Sequence, residues 1–313
     1  MKIAIFNPQS EFTETLQKEL RTLGEVVYTK DRSEIPLRQL LVMAQGADII
    51  AVDPDPLGGF EKAKDILTNI AESLPQLKGV CLSTTAYGWI DLQYFKKRNI
   101  PVCNIPGYSR ESVAEHAFAL LLCLAKRIIV SDRKTQKGTY ELEMGFELKG
   151  KTLGIIGLGN IGSRVAELGN CMGMNVIAYN RSPKKQRGVT MKSLNEIYQE
   201  SDAISLHVID SNESQGMVDK IALSKMKKGV IIVNTVDREL VDEQEVAEAL
   251  RSGKVAGYAY EAEDLENTPL AKVENVVGLK GFGWYTKEAL NNLFQIWVNN
   301  IKAVSNNKPQ NTV

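Results

Sequence analysis

The chain has 313 residues, enough for two domains of ordinary size. Its 38 Lys and Arg balance 38 Asp and Glu, and 43% of residues are apolar, so nothing marks nucleic acid or an anionic membrane as a partner. Four cysteines without a C-x-x-C pair read as reduced, buried thiols, and no metal site is expected.

In chain order, Met1-Lys2 leads into KIAIFN, a short apolar strand and not a secretory leader. FTETLQKELRTLG follows with apolar residues at helical spacing and Gly24 as its stop. EVVYT, ADIIAVD, KGVCLST and PVCNIPG read as further strands, and this alternation predicts a parallel, doubly wound sheet. SRESVAEHAFALLLCLAKRIIVSDRKTQKG predicts a helix, with Ser109 as candidate cap and a centre apolar on nearly all sides. Such a helix is buried within a domain, between domains or against another subunit. Its apolar run falls far short of the roughly 20 residues that span a bilayer, so a cytoplasmic protein is expected. A second alternation starts at KTLGIIGLGNIGSRVAELGNCMGMNVIAYN and continues through DAISLHVI, GVIIVNT, KVAGYAY and NVVGLKG. TKEALNNLFQIWVNNIKAVSN closes the chain as a long amphipathic helix, and no residue-level repeat is present.

LGIIGLGNIGSRVAELG holds Gly157, Gly159 and Gly162 in G-x-G-x-x-G spacing, between an apolar strand and a helix pattern. Gly157 permits the tight turn, Gly159 lets the backbone approach a pyrophosphate, and Gly162 allows close helix-strand packing. The helix amino end, at Asn160 and Ile161, then offers free N–H groups and a positive dipole to phosphates. A tight turn with no ligand is the bland alternative. The next strand runs into VIAYNRSPKK. An acid at its end would bind adenine-ribose hydroxyls and favour NAD; Asn180 stands there instead. With Arg181 and Ser182 beside it, a 2′-phosphate meets no repulsion and two binding groups, which favours NADP(H), with NAD(H) possible. A solvated basic turn is the competing reading.

The ordered set VCNIPGYSRESVAEHAFALLL, GKTLGIIGLGNIG, DAISLHV, VNTVDRELVDEQEVAEALRSGKVAGYA and GWYTKEAL resembles the D-isomer-specific 2-hydroxyacid dehydrogenase family over almost the whole chain. The resemblance implies an α/β fold of two doubly wound, Rossmann-like domains. A nucleotide domain, 103–284, would be inserted into a flavodoxin-like substrate domain, 1–102 plus 285–313, with a cleft at the crossings. It also implies a small-molecule substrate and a homodimer built around the VAEH helix. His116 and His207 fall where the family usually has structural or cofactor-side histidines. The implied cofactor set adds His207, Val208, Thr235 and Val236, with Glu261 in place of the aspartate that holds the nicotinamide amide.

Family chemistry is hydride transfer between nicotinamide and the carbon bearing the hydroxyl or keto group. An arginine binds the substrate carboxylate, a histidine supplies the proton, and a glutamate tunes that histidine. Aligned without gaps, NTVDRELVD puts Asp237 at the arginine position and Arg238 at the next, where glycine is usual. The same count brings the glutamate position to Glu266. NVVGLKGFGWYT puts Gly281 at the histidine position and Lys280 at the preceding proline. The substrate loop reads TTAYGWID, where side chains on Thr84, Ala86 and Tyr87 narrow the approach to the backbone and Trp89 is placed to fill the pocket.

An acid in the arginine's place repels an anionic 2-keto acid. Three readings follow. A reductase with a remodelled site would use Asp237 and Glu266 to favour a cationic or neutral electrophile such as an imine, with Lys280, Tyr87 or Tyr285 giving the proton. A regulatory protein would keep the dinucleotide site without hydride chemistry. An ordinary 2-hydroxyacid dehydrogenase would need Arg238 to do the arginine's work through a bulge. Against these stand bland roles, a solvent-facing loop lysine for Lys280 and a local ion pair for Asp237.

Overall fold

Buried strands alternating with amphipathic helices build two all-parallel sheets. The computed structural model describes residues 1–209, 213–262 and 265–313. The chain divides into two units, 1–108 with 287–313, and 109–286.

The first unit runs β1 (Lys2–Pro8), α1 (Glu14–Leu23), β2 (Glu25–Thr29), α2 (Leu37–Ala44), β3 (Ile49–Val52), α3 (Phe60–Glu72), β4 (Gly79–Leu82), α4 (Leu92–Lys97) and β5 (Val102–Cys103). Its strands lie in the order β2-β1-β3-β4-β5. Strand alternation splits the core: Ala4, Phe6, Ile50 and Val52 pack with Leu40, Leu67 and Phe95, while Ile3, Ile5, Ile49 and Cys81 pack with Phe12 and Leu20. Because β5 pairs with β4, this unit continues past the expected limit at 102.

The second unit runs α5 (Arg110–Ala125), α6 (Ile128–Gln136), β6 (Thr152–Ile156), α7 (Asn160–Cys171), β7 (Asn175–Tyr179), β8 (Val189–Met191), α8 (Leu194–Glu200), β9 (Ala203–Leu206), α9 (Lys220–Lys225), β10 (Val230–Asn234), α10 (Glu243–Arg251), β11 (Val255–Ala262) and β12 (Val276–Lys280). The sheet order is β12-β11-β10-β9-β6-β7-β8. Chain order reverses between β6 and β9, which makes the carboxyl ends of these two strands the expected ligand crevice. α11 (Lys287–Ser305) returns to the first unit, where Trp297 is wholly buried and donates to the Cys81 carbonyl at 2.8 Å.

Three expectations need correction. The helix predicted from Ser109 onward is two helices, because Arg127 takes a left-handed φ of 53° and ends the first. Ser109 is its N-cap residue, yet its side chain makes no capping hydrogen bond. The thiols are free, but only Cys81 and Cys103 are buried; Cys123 is half-buried and Cys171 exposed. Within the second unit, Ala114, Leu121 and Leu124 of α5 join a core with Ile155, Ile231 and Ala259.

Candidate functional site

β6 ends at Ile156, and the chain turns at Gly157 with φ 99°. A Cβ there would lie 2.4 Å from the His207 carbonyl oxygen, so the close approach of the β9 exit demands glycine. A Cβ on Gly162 would lie 2.1 Å from the Gly157 oxygen, which holds α7 against the turn. Gly159 differs: a Cβ on it would meet nothing within 4 Å. It caps α7, whose first-turn amides at Asn160 and Ile161 lack intrahelical acceptors. Open space beside a bare helix amino end, with a cavity of about 370 Å³ running from Gly157 and Gly159 to Arg181 and Met217, fits a dinucleotide phosphate and its adenosine.

The turn after β7 is tied to this loop. Asn180 Oδ1 accepts the Leu158 amide at 3.0 Å, and Asn180 Nδ2 donates to the Ser182 carbonyl at 2.8 Å. Lys184 Nζ donates to the Leu158 carbonyl at 2.6 Å. Asn180 therefore braces the glycine loop, a role its sequence position did not suggest. Arg181 and Ser182 face the cavity, and Arg181 pairs with Glu213 at 2.7 Å. Glu213 was missed in the sequence because nothing in spacing links it to a residue 32 positions away. Tyr179, Val208 and Met217 supply the apolar wall, of which only Val208 was anticipated.

His207, at the β9 exit, lines the same cavity; its Nε2 lies 2.8 Å from Ser205 Oγ. Burial pulls its pKa down to about 4, so the ring is neutral at ordinary pH. At the β10 exit Asn234 organises the chain: its Oδ1 accepts the Val236 amide at 3.1 Å and its Nδ2 donates to the Asp237 carbonyl at 2.6 Å. Thr235 Oγ1 is buried with no partner among the described residues. Asp237 is half-buried, and its Oδ1 accepts the Glu239 amide at 3.0 Å, capping the short turn Arg238–Leu240. The Arg238 guanidinium turns away onto Glu243 in a two-point fork.

Neighbouring strands carry the remaining groups. Glu261, in β11, accepts the amides of Phe282 at 2.9 Å and Gly283 at 2.8 Å. His116 Nε2 stands 3.2 Å from the same carboxylate, near enough to pair electrostatically but poorly aligned for a hydrogen bond. Burial pushes the Glu261 pKa up, but His116 and the two amides outweigh it and hold it below the ordinary carboxylate value. Ser112 Oγ donates to the Gly283 carbonyl, closing the clamp on the segment after β12. Lys280 ends β12 and is exposed, Gly281 follows it half-buried, and Glu266 lies in an exposed turn beyond β11. Since β10, β11 and β12 are adjacent, Asp237, Glu261 and Lys280 stand along one carboxyl edge.

In the first unit Tyr87 is exposed, while Trp89 is buried in the core and donates to the Ala86 carbonyl at 2.9 Å. The indole lies edge-on to Phe60 and packs with the core of the first unit. Tyr285 is exposed in the second unit. Among the described residues no group of three or more His, Cys, Asp or Glu could hold a metal ion, and no helix is long and apolar enough to cross a membrane.

Residues 118–279 match the family model of the D-isomer specific 2-hydroxyacid dehydrogenase NAD binding domain. The chain is 30% identical over 311 residues to a hydroxypyruvate reductase of Blautia hydrogenotrophica, covering 95% of this chain and 94% of that protein. It is 37% identical over 230 residues to a D-3-phosphoglycerate dehydrogenase of Archaeoglobus fulgidus, covering 70% of this chain but only 44% of that longer protein. An acyclic imino acid reductase solved in complex with NADPH and D-Arg superposes with a TM-score of 0.84 at 27% identity, over 100% of both chains.

Proposed function

This chain belongs to the D-isomer-specific 2-hydroxyacid dehydrogenase family of NAD(P)-dependent oxidoreductases, and we propose that it is an NADPH-preferring reductase whose remodelled site acts on an imine or an amine-bearing carbonyl. The observation that carries this reading is Asp237 at the β10 exit, in the place aligned with the family's arginine, while Arg238 is held on Glu243. A carboxylate there repels a 2-keto acid anion and attracts a protonated imine nitrogen. An unpaired acid–acid contact in such a cleft costs several kcal/mol, roughly that of a broken buried charge pair. The acyclic imino acid reductase of the same fold supports both the substrate class and the cofactor.

NADPH, when bound, supplies the hydride that reduces the electrophilic carbon. Gly159 leaves room for its pyrophosphate, α7 offers amides to it, and Thr235 Oγ1 is a buried hydroxyl ready for a partner. Arg181 and Ser182 take the 2′-phosphate, with Asn180 holding their turn in place. Asp237 pairs with the cationic substrate nitrogen, and Lys280 delivers the proton that a neutral carbonyl requires. Glu266 adds negative field from beyond β11. Exposed Tyr140, Leu142 and Met144, alternating with Glu141 and Glu143, support a homodimer through this segment.

A second reading, a dinucleotide-binding protein without turnover, is favoured by Gly281 at the family's histidine position. One experiment separates the two. NADPH and NADH are titrated by fluorescence, and reduced-nicotinamide absorbance is then followed against 2-keto acids, aldehydes and preformed imines, including the imine of the arginine-derived keto acid. Turnover confined to imines and amine-bearing carbonyls is expected. Tight NADPH binding with no turnover on any member overturns the reductase reading. Glyoxylate or pyruvate turned over as fast as by ordinary family members overturns both.

A further inference from the structure

α11 buries an amide where the rest of its inward face is hydrocarbon. Asn300 is wholly buried on the same helix as Trp297, Ile301 and Val304. An amide there costs stability unless both of its ends are paired. Its Nδ2 donates to the Asn104 carbonyl at 2.7 Å, and its Oδ1 accepts Asn311 Nδ2 at 2.9 Å. The Asn104 backbone amide donates to the Asn311 carbonyl at 3.0 Å, which closes a ring of three asparagines. The Asn104 carbonyl can only accept, so it dictates how the Asn300 amide is turned, and Asn300 dictates Asn311. All three lie in the first unit: Asn300 in α11, Asn104 just past β5, and Asn311 in 311–313. That segment runs antiparallel to β5, with the Val313 amide on the Val102 carbonyl at 3.0 Å.

One side chain leaves the ring. Asn104 Nδ2 donates to the Thr85 carbonyl at 2.8 Å. Thr85 Oγ1 donates to the Ile105 carbonyl at 2.8 Å, and the Ile105 amide donates to the Thr84 carbonyl at 3.3 Å. The loop after β4 is thus tied through its carbonyls. Among the described residues the backbone amides of 84–88 have no acceptor, and 85–88 are exposed. Free amides in a loop at a strand exit receive anions. The ties therefore take up the carbonyls of this loop and leave its donors available.

We propose that Asn104, Asn300 and Asn311 are positioning residues, whose ring holds the 84–88 loop in the form that receives a ligand carboxylate. Asn311 has no hydrogen bond to the loop, yet it sets Asn300, Asn300 holds the Asn104 carbonyl, and Asn104 holds Thr85. The segment 311–313 therefore acts on the loop through a relay of side-chain amides. A ring that only pinned 311–313 to β5 would need no bond from Asn104 to Thr85. The proposal rests on the reductase reading only in calling the loop's ligand a substrate.

The test follows hydrogen exchange by NMR in the NADPH-loaded full chain. One reporter is the Ile105 amide, bonded to the Thr84 carbonyl; the other is the Trp89 indole N–H, bonded to Thr84 Oγ1 at 3.1 Å. Asn311→Gly removes only the side-chain amide, because the φ of 52° at that position suits glycine. Both reporters are expected to exchange about tenfold faster or more. The Ile35 amide, bonded to the Pro56 carbonyl at 2.9 Å elsewhere in the first unit, should not change. Asn104→Ala cuts the tie to Thr85 directly and should have the same effect; Asn311 is exposed, so the test survives if Asn104→Ala fails to fold. Unmoved loop reporters in Asn311→Gly overturn the brace, and so does equal acceleration at Ile35. On any imine turned over, Asn311→Gly should raise KM about threefold or more with kcat kept. Unchanged KM beside loosened reporters overturns the positioning role. Loosened reporters without turnover on any imine sustain the brace and overturn the reductase reading. Imine turnover with unmoved reporters does the reverse.

Discussion

The guanidinium of Arg238 forks onto the carboxylate of Glu243, with Nε 2.9 Å from Oε1 and Nη2 2.6 Å from Oε2. Thr268 Oγ1 donates to the same Oε2 at 2.9 Å. This arginine braces the exit of β10 against the start of α10, so its removal is a matter of stability. Arg238→Met is expected to cost about 1–3 kcal/mol, because among the described residues Glu243 then keeps only the Thr268 hydroxyl at that end. Urea denaturation gives the stability loss, and kcat/KM on the imine panel should stay within about twofold. A collapse of kcat/KM at unchanged stability would instead place Arg238 on the substrate.

The glycines of the nucleotide loop should separate fold from binding. Gly157→Ala forces a Cβ onto a φ of 99° and to within 2.4 Å of the His207 oxygen. A loss of roughly 2–4 kcal/mol is expected from the combined strain and clash. Gly159→Ala enters open space at an ordinary φ of -78°. Its melting temperature should barely move, while NADPH affinity falls about tenfold or more as the methyl occupies phosphate space. Thermal melts with and without NADPH distinguish the two variants.

Arg181 and Glu213 pair at 2.7 Å at the cavity wall, so a 2′-phosphate has to compete with a carboxylate for the guanidinium. Glu213→Gln is expected to tighten NADPH binding several-fold and leave NADH unchanged. Arg181→Ala should weaken NADPH by about tenfold, again sparing NADH. Both follow from fluorescence titration with the two nucleotides. NADH shifting in parallel with NADPH would show that the pair acts on the shared adenosine and not on the phosphate.

His207 should make stability fall in acid. Its folded pKa is held at about 4 against an ordinary 6.5. Between those values the unfolded chain binds more protons, so stability is complete above about pH 6.5 and is lost progressively as pH drops toward 4. The depression corresponds to about 3 kcal/mol. Comparing urea unfolding at pH 7.5 and 4.5, His207→Gln should show a smaller drop than the native chain. Equal drops would mean that the imidazole is protonated in the folded state too.

What the sequence made legible were features with local periodicity. Strands such as KIAIFN and GVIIVNT alternate or run apolar between turns, and the glycine spacing sits between its strand and its helix. The break at Arg127 was invisible because apolar helical spacing continues through it; only the left-handed φ ends α5. β8 was missed because VTM is three residues long and none of the three is buried. Contacts across sequence distance were the other blind spot. Glu11, Arg32 and the Asp53–Asp55 pair come from three separate segments, and the parallel sheet order gathers them.

Glu261 holds two amides of the segment after β12 on one carboxylate oxygen. For enzyme engineering this makes Glu261 the adjustable screw of the loop. Shortening it to Asp would slacken that segment. A library built to re-aim the segment after β12 would start there.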